Sequence, residues 1–93
     1  MTENFGVITF ATTGRAIQGE AAFDTAGLHK KMIPTPREIS LSCGIAIRFS
    51  LEQLDQICCE LVDTGKIKVS AIYSYYKTEE GNRAELILQG EER

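Results

Sequence analysis

The chain has 93 residues, 43% hydrophobic and 25% charged, with a formal net charge of −3 and a pI of about 5.1. That length supports one domain, 1–93, with a modest core, and the scattered basic residues exclude a nucleic-acid footprint or a polybasic membrane patch. No stretch approaches the roughly 20 apolar residues of a membrane span, the N-terminus lacks the pattern of a signal peptide, and three cysteines, two of them adjacent, argue for reduced thiols in a cytoplasmic protein.

Residues 5–11 (Phe-Gly-Val-Ile-Thr-Phe-Ala) are β-branched or aromatic on both alternations and predict a strand near the centre of a sheet. Thr12 or Thr13 can cap a helix over 15–26, with Gly27 at the left-handed position after its end. The apolar stripe of that helix is Ala16, Ile17, Ala21, Phe23 and Leu28. Residues 30–34 form a short second strand that ends in proline, as an edge strand tolerates.

A third strand spans 44–49, with Ile45, Ile47 and Phe49 on one face and Ala46 and Arg48 on the other. Ser50-Leu51-Glu52-Gln53 matches a capping box, with Gln53 reaching back to Ser50. Leu51, Leu54, Ile57, Cys58, Leu61 and Val62 then make the stripe of a second helix that stops at Gly65. Residues 67–76 form the longest strand, 77–82 carry turn residues, and 84–88 return as a hairpin arm or stay frayed. The core is therefore 5–76, with 77–93 as a C-terminal extension.

The order strand, helix, strand, strand, helix, strand predicts an α+β, ferredoxin-like split βαβ domain: an antiparallel sheet of order 4-1-3-2 with two helices on one face. The core expected from it is Ile8 or Val7, Ile17, Phe23, Ile45, Ile47, Phe49, Leu54, Ile57 and Leu61.

The longest connection leads into the third strand, and Pro34 and Pro36 restrain it. It ends in Cys43, followed by Gly44, which leaves the backbone beside the sulfur uncovered. In the expected topology the start of the third strand lies beside the end of the first, so Cys43 comes near Thr12, Thr13 and Gly14 at the N-terminus of the first helix. The helix dipole and the cations Arg15 and Arg37 would lower the thiol pKa. Cys43 is thus the candidate functional thiol, with Thr12, Thr13, Gly14, Arg15, Arg37, Ser42 and Gly44 around it.

Pro34-Thr35-Pro36-Arg37-Glu38-Ile39-Ser40, then Ser42-Cys43-Gly44-Ile45-Ala46-Ile47-Arg48-Phe49, resembles the signature of the selenium/sulfur (Se/S) carrier protein-like family of short bacterial proteins. The likeness covers roughly residues 5–76, including the first strand, the Ala26-Gly27 helix end and the Ser50 helix start. It implies a non-enzymatic carrier that holds sulfur or selenium on Cys43 as a persulfide or perselenide, with no other cofactor. The partners would be a cysteine desulfurase-like donor and a selenium/sulfur acceptor protein. Two features depart from the pattern: the turn Thr12-Thr13-Gly14 is smaller than the often histidine-bearing turn of the family, and 77–93 run past its usual end.

Each candidate has a plainer alternative. Cys43 is otherwise a small hydrophobe packed at a strand start, in a regulatory module that binds a small molecule or protein. Cys58 lies on the apolar stripe and reads as core, and Cys59 lies one residue off it. His29 with the three cysteines lacks metal-ligand spacing, and His29 reads as a surface residue beside a helix end. Arg48 faces away from Cys43, towards solvent or a subunit interface, and no base at a telling spacing accompanies the thiol as an independent enzyme would need. Tyr73, Tyr75 or Tyr76 falls on the sheet face opposite the helices, where association into a homodimer would cover it.

Overall fold

The computed structural model describes residues 4–36, 39 and 44–90. Its elements in chain order are β1 (Asn4–Thr9), α1 (Thr13–Ala26), β2 (Lys31–Pro34), β3 (Ile45–Phe49), α2 (Leu54–Ile57), β4 (Ala71–Thr78) and β5 (Gly81–Gln89). A 3₁₀ turn, Leu51–Gln53, leads into α2, and a π-helical turn, Cys58–Val62, continues it.

The fold is α+β: the helices pack on an antiparallel sheet of five strands in the order β2-β3-β1-β4-β5. The expected four-strand order 4-1-3-2 is not the order observed, because the sheet continues past β4 into β5. A two-residue turn at Glu79 and Glu80 joins β4 to a partner paired along the whole length of β4, so the C-terminal arm becomes a full edge strand.

β1 occupies the middle, pairing with β3 from Gly6 opposite Phe49 to Thr9 opposite Ala46, and with β4 from Asn4 opposite Tyr76 to Thr9 opposite Ala71. Alternation along a strand sends successive side chains to opposite faces, and in β1 both faces are buried. Ile8 joins Phe10, Ile47, Phe49 and Ile72 in the main core with Ala16 and Phe23 of α1 and with Ile57 and Leu61 of the second helical segment. Val7 joins Ala46 and Tyr75 in a smaller cluster on the other face, with Phe5, Ile33, Ile39 and Ala84 packed against it.

The expected core needs amendment at five residues. Ile17 is 57% exposed, because Ala16, Gly19 and Phe23 form the buried line of α1. Gly19 brings the helix against the Phe10 ring, which a Cβ would approach to 2.7 Å. Ile45 and Leu54 are half-buried at the margin of the core. Ile67 and Val69 are buried in the segment before β4 rather than within it, since β4 begins at Ala71.

Helix ends follow the expected chemistry in two places and depart from it in a third. Thr12 caps α1, its Oγ1 accepting from the Arg15 N–H at 3.2 Å, and Gly27 closes it with φ 72°. Ser50 Oγ accepts from the Glu52 N–H at 3.4 Å, but the Gln53 side chain does not reach back to Ser50. It accepts from the His29 N–H at 3.0 Å and donates to the His29 carbonyl at 2.8 Å, which ties the segment after α1 to the start of the second helical segment.

Gly6 lies under the ring of its cross-strand partner Phe49, where an added Cβ would overlap Cζ. Gly6→Ala should therefore cost about 1–3 kcal/mol through overpacking, measured by urea unfolding. Phe49→Leu should cost less in the Gly6→Ala background than alone, since the smaller side chain makes room for the methyl.

Candidate functional site

One end of the sheet gathers the candidate residues that the structure describes. There β1 finishes, β3 and β4 begin, β2 and β5 finish, and α1 starts. Gly44 is exposed, and its carbonyl accepts from the Thr35 N–H at 3.2 Å, carrying the β2–β3 ladder one step beyond Pro34 opposite Ile45. Extending the β1–β3 register past Thr9 opposite Ala46 sets Gly44 abreast of Ala11, one residue before the Thr12 cap. The start of β3 thus sits beside the N-terminus of α1.

That helix end suits an anion. Thr13 and Gly14 occupy its first turn, where main-chain N–H groups have no acceptor within the helix. The turn contains no acidic residue, so the positive end of the helix dipole is not offset there. Among the described residues nothing lies within 4 Å of the position a Cβ would take at Gly44. Thr12, Thr13, Gly14 and Gly44 therefore fall at the same end of the sheet. Arg15 is in the same turn, with Nη1 donating to Gln18 Oε1 at 3.2 Å. Arg37, Ser42 and Cys43 lie outside the described residues.

Two features of this end were not read from the sequence. The Thr35 hydroxyl is buried and makes no hydrogen bond, the one buried side-chain polar atom in that condition among the described residues. A hydroxyl between two prolines carries no sequence signal for this. The second feature is a groove of about 800 Å³ on the β4–β5 side, lined by Arg15, Asp63, Lys68, Leu88 and Gly90 among others. Its walls come from stretches distant in the chain, which local patterns do not connect.

The other face is covered in part by the chain itself, and on it Tyr73 lies half-buried and Leu86 exposed. The Arg48 guanidinium stacks on the Phe5 ring at 3.9 Å, and Phe5 packs against Tyr75 with ring centroids 5.1 Å apart. Of the tyrosines expected on this face, Tyr75 is buried at 8% exposure and Tyr73 is half-buried, and Arg48 does face away from the helices. Cys58 is half-buried against the main core and Cys59 is exposed. Among the described residues no group of three or more His, Cys, Asp and Glu is placed to hold a metal ion, and no helix is long and apolar enough to cross a membrane.

The family model described as "Putative Se/S carrier protein-like" matches residues 5–74, well over half of the chain. The chain belongs to that family. No curated protein and no solved structure matches it. The Se/S carrier-like match takes in β1, α1, β2, β3 and the second helical segment and stops at Ser74 within β4, so β5 lies wholly beyond it.

Burial, followed by the nearby charges of Asp63, Cys59 and Asp55, pushes the Cys58 thiol pKa up. Its alkylation rate, followed peptide by peptide against pH, should therefore rise at a higher pH than that of an unhindered cysteine. An inflection at or below the ordinary thiol value would contradict the burial seen here.

Proposed function

We propose that the protein is a non-enzymatic carrier that holds sulfur or selenium on Cys43 as a persulfide or perselenide. The observation that carries this reading is membership of the Se/S carrier-like family through a match that runs across Cys43. The geometry next to it in sequence supports the reading. No described residue comes within 4 Å of a Cβ placed at Gly44, the acid-free first turn of α1 lies alongside, and the buried Thr35 hydroxyl just past β2 is a donor without an acceptor.

Loading would be a thiol exchange. The Cys43 thiolate attacks the terminal sulfur of a donor persulfide, the donor's S–S bond breaks, and the donor cysteine leaves as thiolate with no net oxidation or reduction. Selenium follows the same path from a donor perselenide. The terminal chalcogen carries negative charge near neutral pH, and main-chain N–H groups at the start of α1 supply the field that stabilises an anion. An acceptor thiolate removes the group by the same exchange. The donor is of the cysteine desulfurase type, the acceptor a selenium- or sulfur-utilising protein, and the reducing cytoplasm the compartment that keeps the thiol competent.

A second reading is favoured by the groove between Arg15, Lys68 and the end of β5: a regulatory module that binds a small molecule there, with Cys43 packed. The two differ in covalent chemistry. Incubated with a desulfurase and cysteine or selenocysteine, the protein should gain the mass of one sulfur or selenium atom. Cys43→Ser should abolish the gain while keeping the fold, and Cys58→Ser should load normally with slightly lower stability. Loading that persists in Cys43→Ser, or never occurs in the unmodified protein with a competent donor, rejects the carrier and leaves the binding module.

A further inference from the structure

The two edges of the sheet differ. β2 has four residues, begins with Lys31 and ends with Pro34, which has no N–H to donate, and charge and proline are the usual means of blunting an edge. β5 has nine residues, no proline, and the apolar side chains Leu86 and Ile87 exposed at 55% and 40%. Such a strand is an open template for another strand.

The orientation of its main chain follows from the hairpin. The Thr78 hydroxyl donates to the Gly81 carbonyl at 2.8 Å, so the Gly81 carbonyl turns towards β4. Antiparallel pairing alternates from residue to residue. Asn82, Ala84 and Leu86 therefore direct their N–H and C=O groups outward, and the ladder stays regular through Leu86 opposite Tyr73. The bulge follows at Ile87, which has no partner between Leu88 opposite Ile72 and Leu86 opposite Tyr73.

From this edge we infer that β5 pairs antiparallel with β5 of a second copy of the chain, about a two-fold axis at Ala84, so that the two sheets become one. Ala84 meets its own counterpart, and Asn82 meets Leu86 in both directions, using the three outward-facing residues. Arg83 then stands opposite Glu85 of the second copy, and Glu85 opposite its Arg83, in the closely spaced positions between hydrogen-bonded pairs. Charge complementarity selects this register. Moving the axis to Leu86 would set Arg83 against Gln89 and Glu85 against Ile87 and lose both ion pairs. The present partners of these side chains are surface contacts: Arg83 with Glu80 at 3.1 Å and Glu85 with the Tyr76 hydroxyl at 3.2 Å. The interface does not depend on the carrier reading, and it lies at the sheet edge farthest from β2.

Sedimentation of the full chain at low ionic strength tests the pairing and its register. The unmodified protein should be a dimer. Arg83→Glu and Glu85→Arg should each set like charges opposite one another twice and weaken association by about tenfold or more. Mixed in equal amounts, the two variants should form a heterodimer, because one copy then presents only acids and the other only bases, and the double exchange R83E/E85R should restore the homodimer. Ala84→Pro should also give a monomer while keeping the hairpin, since the N–H it removes points away from β4, and circular dichroism checks that each variant keeps the fold. A monomeric unmodified protein overturns the proposal, as does a dimer indifferent to both single charge reversals or a mixture that fails to associate.

Discussion

The main-chain pairing of β1 with β3 on one side and β4 on the other constrains everything else in the molecule. A strand bonded along both sides and covered on both faces leaves no polar main chain exposed and must be apolar in both phases, as Val7 and Ile8 are. Because β1 leads within a few residues into α1, the start of that helix is fixed beside the beginning of β3. The adjacency of Gly44 and the Thr12 cap is thus a product of topology, and it needs no contact of its own to maintain it.

The second face is partly covered by side chains from several directions. Phe5 and Tyr75 supply aromatic area, Arg48 lays its guanidinium over Phe5, and Ile33 and Ile39 approach from β2 and the connection that follows it. The connection therefore contributes to packing as well as leading to Cys43. An open sheet face would favour association through that face. Here the row of main-chain groups on β5 is open to a partner as well, with Leu86 exposed beside it.

The legible parts of the sequence were those with a local cause. The Thr12 cap, the glycine stop at Gly27, the alternation of β3 and the apolar stripe around Ile57 and Leu61 each result from forces acting within a few residues, and the structure contains them. Ile17 was misread because helical spacing allows more than one apolar line, and the choice was made by Gly19, which admits the Phe10 ring. The capping box failed because Gln53 found both hydrogen bonds on His29, 24 residues away. β5 was only half visible, since an edge strand with exposed charges does not show the burial pattern of a paired one. In the candidate site, proximity of α1 and β3 was legible from topology, the Thr35 hydroxyl and the groove were not, and Cys43 itself lies outside the described residues.

The stacking of Phe49 on Gly6 has a consequence for how this chain can change over time. Ring and Cβ occupy the same space, so position 6 stays without a side chain for as long as position 49 keeps a ring packed there. Either residue altered alone leaves a clash or a void on the central strand, so the least damaging route runs through both. Positions 6 and 49, separated by α1, β2 and most of β3, are therefore coupled sterically as one unit.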